Sequence, residues 1–283
     1  MTSRVGPSRL RSTLVVLAAV VPIVVVLAVS LTATILQSLG LMPVVGPPEL
    51  TLQAWTADGR ELLRASGISL YIATVSTALS LVIGFVLAAF VMTSPRAGRV
   101  VAALSAATIP VPHLIAAGAT GLLLSDSGFL QRVLGMPEVF PALVGTTWWS
   151  AAIFEYVWKE SAFVALVVLG SISSAVPGLC DTAATLGATA RQRVMRVVLP
   201  LAVPSLAISG VIIFVYTLGS YEAVWLLGPT APEPLVVRAV RLFGSVDLAA
   251  RPEAMVAVLV SVGISAAAIL VGVRVLRGVR SLR

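Results

Sequence analysis

Glu155, Lys159 and Glu160 fall near the middle of the long apolar stretch Val144–Ser171, and Glu222 falls in another, Val203–Leu227. A Lys or Asp at the centre of a bilayer costs at least about 2.5–3.5 kcal/mol, so ionisable groups in such stretches face protein or water and mark polar pathways. Glu155 and Lys159 are four residues apart and share a helix face, which permits a structural ion pair. Glu160 points elsewhere and has no evident counter-charge. Glu222 follows Gly219-Ser220-Tyr221, small residues that can open a cavity. Glu155, Glu160, Glu222 and the single histidine, His113, are therefore the candidate pathway residues. Glu160 and Glu222 on a pathway would favour a cationic solute. His113 lies between Pro112 and Leu114 in a third apolar stretch, as a packed or pathway-lining polar group.

Other chemistry is excluded by residue supply. Lys159 is the only lysine, and no glycine stands among the eight residues before it, so there is no P-loop to cradle a nucleotide. One histidine and one cysteine, Cys180, leave no histidine metal cluster, multi-cysteine site or internal disulfide. A Ser-His-Asp arrangement would have to use His113. The expectation is a chain that is not an enzyme, with no cofactor and no metal.

The stretches that position these groups are membrane spans. The chain is 58% hydrophobic and 11% charged, with mean hydropathy +1.04, against about 25% charged residues in a soluble domain. About 20 apolar residues cross the hydrocarbon core, and six stretches qualify: Leu14–Leu36, Ile68–Met92, Val100–Leu124, Val144–Ser171, Val203–Leu227 and Met255–Leu276. The first is too long for a signal-peptide core. Pro110 and Pro112 kink the third. The expected fold is an all-α membrane protein of six transmembrane helices in one domain, residues 1–283.

Arginines set the orientation. Arg4, Arg9, Arg11, Arg96, Arg99, Arg191, Arg193, Arg196, Arg274, Arg277, Arg280 and Arg283 fall on one side, with Asp181 as its only acid. The other side mixes six arginines with eight acids. The positive-inside rule then puts both termini (about 1–12 and 277–283) and the loop between spans four and five, about 175–200, in the cytoplasm. The net charge of +7 is topology, not a nucleic-acid footprint, because the arginines sit in clusters between spans. Outside, Gly40–Arg64 has an amphipathic-looking stretch through Trp55 and Leu62, and Asp126–Pro141 holds a short interfacial helix through Phe129, Leu130, Val133 and Leu134. Trp148, Trp149 and Trp225 read as interfacial anchors.

The cytoplasmic loop is the distinctive element. Pro177–Ala190 reads as a short helix rich in small residues, which let another surface approach closely, and Gly187 can take a backbone conformation closed to most residues. Arg191–Leu199 reads as a second short helix, with Pro200 suited to the start of the fifth span. Spacing alone leaves two readings open: a docking loop, or an ordinary loop whose arginines only set topology.

Asp181, Ala183 and Gly187, followed by Val197, Leu199 and Pro200, resemble the "EAA" signature of permease subunits in bacterial ABC importers, and the likeness runs from about the second span to the sixth. It departs from the pattern at Asp181, where Glu is usual, and at Thr182, where Ala is usual. The resemblance implies that the loop is a coupling helix, with Asp181, Ala183, Gly187, Arg191, Leu199 and Pro200 meeting a cytoplasmic ABC ATPase subunit. It implies a second permease chain, identical or homologous, and an extracytoplasmic solute-binding protein, in a bacterial inner membrane. Gly219–Gly228 and Asp247-Leu248 with Arg251-Pro252 resemble the polyamine/thiamine/iron type, with a cationic, polyamine-like solute. The sugar type usually carries a Gly-Gly-Gly-Pro run where Leu227-Gly228-Pro229-Thr230 stands. The competing readings are a sugar-type permease, an ion-gradient-driven secondary transporter using the intramembrane glutamates, and a membrane scaffold.

Overall fold

A computed structural model describes residues 9–135 and 140–281. Arg4, Arg283 and Glu138, used above for orientation, lie outside them, as do the outer parts of both tails.

The described residues are helical, without strands. The helices are α1 Arg9–Ser38, α2 Gln53–Thr56, α3 Gly59–Thr93, α4 Pro95–Thr108, α5 His113–Leu124, α6 Phe129–Leu134, α7 Ser150–Ile172, α8 Val176–Thr185, α9 Ala190–Arg193, α10 Leu199–Gly219, α11 Glu222–Leu227, α12 Leu235–Phe243 and α13 Arg251–Ser281. A π turn, Val194–Val198, joins α9 to α10. The chain divides into two compact units, residues 1–59 with 239–259 and residues 60–238 with 260–283. Only the second holds the candidate site residues.

Among the described residues four helical runs are long and apolar enough to cross a membrane: Val16–Ser38, Gly59–Thr93, Ala190–Gly219 and Leu248–Gly278. Two bent pairs bring the number to as many as six. The third expected span is not one helix: it breaks by 111° between α4 and His113. Pro110 and Pro112 supply no N–H, and each disfavours helical backbone at the residue before it. The α7–α8 pair bends by 74°.

The expected second short helix at Arg191–Leu199 does not stand apart either. The π turn carries α9 into α10 without a break, its Leu199 N–H bonded to the Val194 carbonyl five residues back. Pro200 therefore sits within a continuous run, not at its start. The wider turn absorbs the irregularity that the missing proline N–H imposes. At the other end, the expected fifth span stops at Gly219, and α11 begins after Ser220-Tyr221.

Two packed clusters hold the second unit. One gathers Ile72, Ala117, Trp149, Tyr156, Val224 and Leu227, the other Ala88, Val164, Val168, Val198 and Ile213. Trp149 is 2% exposed, in the left-handed backbone region at φ 57°, so it is a core residue and not the interfacial anchor its type suggested. Trp148 and Trp225 are exposed.

Small residues let α3 approach α7. A Cβ on Gly84 would lie 2.5 Å from Val164 Cβ and 2.7 Å from the Ser161 carbonyl oxygen. Gly84→Ala is expected to cost about 1–3 kcal/mol by overpacking. Gly67→Ala, with nothing within 4 Å, should be close to neutral; thermal unfolding in detergent compares the two.

Candidate functional site

Two sets of polar residues stand out. The first is the connection from α8 to α9. Helix α8 ends in a Schellman arrangement: the Gly187 N–H donates to the Ala184 carbonyl (2.9 Å) and the Ala188 N–H to the Ala183 carbonyl (3.0 Å). Gly187 sits at φ 82°, a position that favours glycine, and a Cβ there would meet nothing within 4 Å. Two residues on, Thr189 starts α9 with a capping box. Its hydroxyl accepts from the Gln192 N–H (3.3 Å), and the Gln192 side-chain oxygen accepts from the Thr189 N–H (2.8 Å). The local sequence thus writes a stop, a tight turn and a new start.

Asp181, Gly187 and Arg191 are exposed on this connection, and Ala183 is half-buried. Leu186 is 83% exposed, large and apolar at the tip. Leu199, half-buried, and Pro200, exposed, lie further along, in the continuous run. Behind α8 is a cavity of about 710 Å³, lined by residues that include Thr93, Ser173, Cys180, Asp181 and Arg193.

The second set centres on His113, the first residue of α5 after the break. Its Nδ1 is 3.0 Å from Glu155 Oε1 and its Nε2 is 3.4 Å from Glu160 Oε1, both on α7. Only a ring carrying both protons can donate to both carboxylates. The ion pair expected between Glu155 and Lys159 does not form among the described residues. Lys159 instead donates from Nζ to the carbonyl of Val111, inside the break. The reason is the break itself: prolines leave carbonyls without helical partners, and a buried ammonium satisfies one of them. Glu160, which had no evident counter-charge in the sequence, has one in His113.

Glu155 is 0% and Lys159 7% exposed, and Glu155 Oε2 is buried with no hydrogen-bond partner among the described residues. Tyr216 of α10 lies against His113, ring centroids 4.8 Å apart. Glu222 is not part of this cluster; it opens α11, exposed, beyond the Ser220-Tyr221 break. The sequence reading missed Tyr216 and the Val111 carbonyl, because the partners are brought together only by the bend. Among the described residues no group of three His, Cys, Asp or Glu could hold a metal ion.

The architecture has close relatives. The chain covers 94% of itself and 96% of a chain in the crystal structure of a bacterial ABC transporter involved in the import of the acidic polysaccharide alginate, at TM-score 0.75 and 21% identity. The chain shares the fold of that transporter chain. A bacterial alginate ABC transporter in complex with an alginate pentasaccharide-bound periplasmic protein gives TM-score 0.72 at 19% identity, over 93% of both chains. In sequence, the chain is 31% identical over 204 residues to the inner membrane ABC transporter permease protein YdcU of Escherichia coli (strain K12). That match covers 64% of this chain and 63% of the relative, so it spans less than two thirds of the relative's length. The chain matches no model of a known protein family. In this fold the α8–α9 connection and the His113 cluster are separate sites, one on an exposed turn and one among packed helices.

Proposed function

We propose that the chain is the membrane-spanning permease subunit of an ATP-driven importer in a bacterial inner membrane. It moves a small cationic solute handed over by an extracytoplasmic binding protein. It pairs with a second permease chain, and its α8 and the Gly187 turn form a coupling helix that fits a cytoplasmic ATPase subunit. On this reading both termini and residues 175–200 are cytoplasmic, six spans cross the bilayer, and residues 1–283 act as one permease domain.

The observation that carries the proposal is the exposed α8–α9 connection. Its turn is fully specified by local hydrogen bonds, so it holds its shape without a partner and presents Leu186, Asp181 and small residues outward. It also leads without interruption into a 30-residue apolar run, Ala190–Gly219, along which a push at the turn can travel into the membrane. The match to the inner membrane permease supports the same reading, and the alginate transporter bound to its periplasmic protein supports the binding-protein partner. A cationic solute is favoured by Glu222, which is exposed and outside the His113 cluster, whereas Glu160 is paired with His113; the sugar-type reading has no such feature here.

The test is to purify the chain from its native membrane in mild detergent and identify what accompanies it. An ATPase and a second permease chain are expected. A solitary chain whose transport follows the proton gradient would overturn the importer reading in favour of a secondary transporter. Glu222→Gln is expected to reduce uptake of a cationic solute about tenfold at limiting solute, equivalent to about 1.4 kcal/mol; unchanged uptake and unchanged solute preference would remove Glu222 from the pathway.

A further inference from the structure

We infer that Lys159 and Glu155 are positioning residues: together they fasten the break between α4 and α5 to α7, and through His113 they hold Glu160 in place. Four ionisable side chains meet here, two of each sign type: with a doubly protonated imidazole, an ammonium and two carboxylates the formal charges sum to zero. Each cation bridges the break to α7 from a different point. Lys159 reaches the Val111 carbonyl, one residue before Pro112, and His113, one residue after it, reaches both carboxylates. A chain bent by 111° within four residues keeps there only three-residue-back bonds, Ile109 N–H to the Ala106 carbonyl and Val111 N–H to the Thr108 carbonyl, so its direction depends on what grips it from outside. Both grips come from one helix, within one and a half turns, and α4 and α5 both pack on α7. The two arms differ: the Glu155 side chain is wholly enclosed, while the Glu160 side chain is 12% exposed, so the enclosed arm anchors and the open arm is the one presented. The consequence for transport rests on the importer reading; the fastening does not.

The experiment uses the full chain in lipid nanodiscs, with Cys180→Ser removing the only native thiol. Spin labels are placed at Leu104 on α4 and Phe154 on α7, which are 64% and 44% exposed. The chain with an intact cluster should give one narrow separation. Lys159→Met alone strands a buried charge and is expected to lower the folded yield at least about tenfold. The double variant Lys159→Met with Glu155→Leu removes one charge of each sign and leaves no acceptor for His113 Nδ1, so it should fold at near-native yield, yet it lacks both anchors and should give a broadened or shifted separation. Lys159→Arg, which can still donate to the Val111 carbonyl, should restore the narrow one. A double variant with the native distribution would overturn the proposal. The measurement needs no ATPase, so its outcome is separate from that of the importer reading. If that reading holds, the double variant with its ATPase should also hydrolyse ATP without matching uptake.

Discussion

On the importer reading, replacing Gly187 with arginine is expected to reduce uptake to about 1% of native or less, a loss of about 2.7 kcal/mol or more in coupling, and to remove the proposed ATPase from the purified chain while most of the chain stays in the membrane. The position is exposed and a Cβ has open space around it, so the new side chain starts without a clash. Two effects remain. Gly187 adopts φ 82°, which costs an ordinary L-residue about 1–2 kcal/mol, and the guanidinium stem stands on the surface where a partner would approach. Gly187→Asn separates them, because Asn tolerates the left-handed conformation and is short. Uptake close to native for Asn and lost for Arg would identify close approach as the requirement. Equal loss for both would identify the turn. Native uptake and an intact ATPase complex in the arginine variant would place the coupling surface elsewhere. Western blotting of membranes, ATPase co-purification and uptake are measured side by side.

How far the sequence revealed this molecule depends on the range of the interaction concerned. The α8–α9 connection was legible only in part: its small residues and Gly187 marked it, but Pro177–Ala190 read as one helix, whereas α8 ends at Thr185 and the local capping box at Thr189 and Gln192 starts α9. Apolar length likewise pointed to four helical runs long and apolar enough to cross a membrane, Val16–Ser38, Gly59–Thr93, Ala190–Gly219 and Leu248–Gly278, whose bounds differ from those expected. Pro110 and Pro112 announced a kink, but a bend of 111° is decided by what surrounds the chain after it turns, which no local pattern records. The four-residue spacing of Glu155 and Lys159 suggested a pair, and that inference failed because two non-local acceptors compete better. The Val111 carbonyl takes the lysine and His113 takes the glutamate, across 48 and 42 residues of sequence. Trp149 misled in the same way. Its type and place near a span end suggest an anchor at the lipid surface, yet Gly228 lacks the Cβ that would collide with its ring, and the indole fills the core instead.

The balance of charge around His113 makes a second large effect expected. His113→Leu removes one cation and leaves Glu155 and Glu160 facing a single lysine, and breaking a buried ion pair by deleting one partner typically costs about 3–5 kcal/mol. The folded fraction in the membrane should fall accordingly, measured by thermal unfolding in detergent and by protease resistance. The loss should be recovered in part by a second change that removes one negative charge, and the choice of carboxylate matters. Glu155, with a side chain 0% exposed, has no recourse to water, whereas Glu160 at 12% has some. His113→Leu with Glu155→Gln should therefore recover more stability than His113→Leu with Glu160→Gln, a coupling that a double-mutant cycle isolates. Equal recovery would mean that the two carboxylates share one environment. No recovery from either would mean that the imidazole acts through packing against Tyr216, 4.8 Å away, and not through its charge. Because leucine keeps most of that packing surface, the comparison of the two double variants reads the electrostatic part directly: a charge enclosed among helices must find its opposite there.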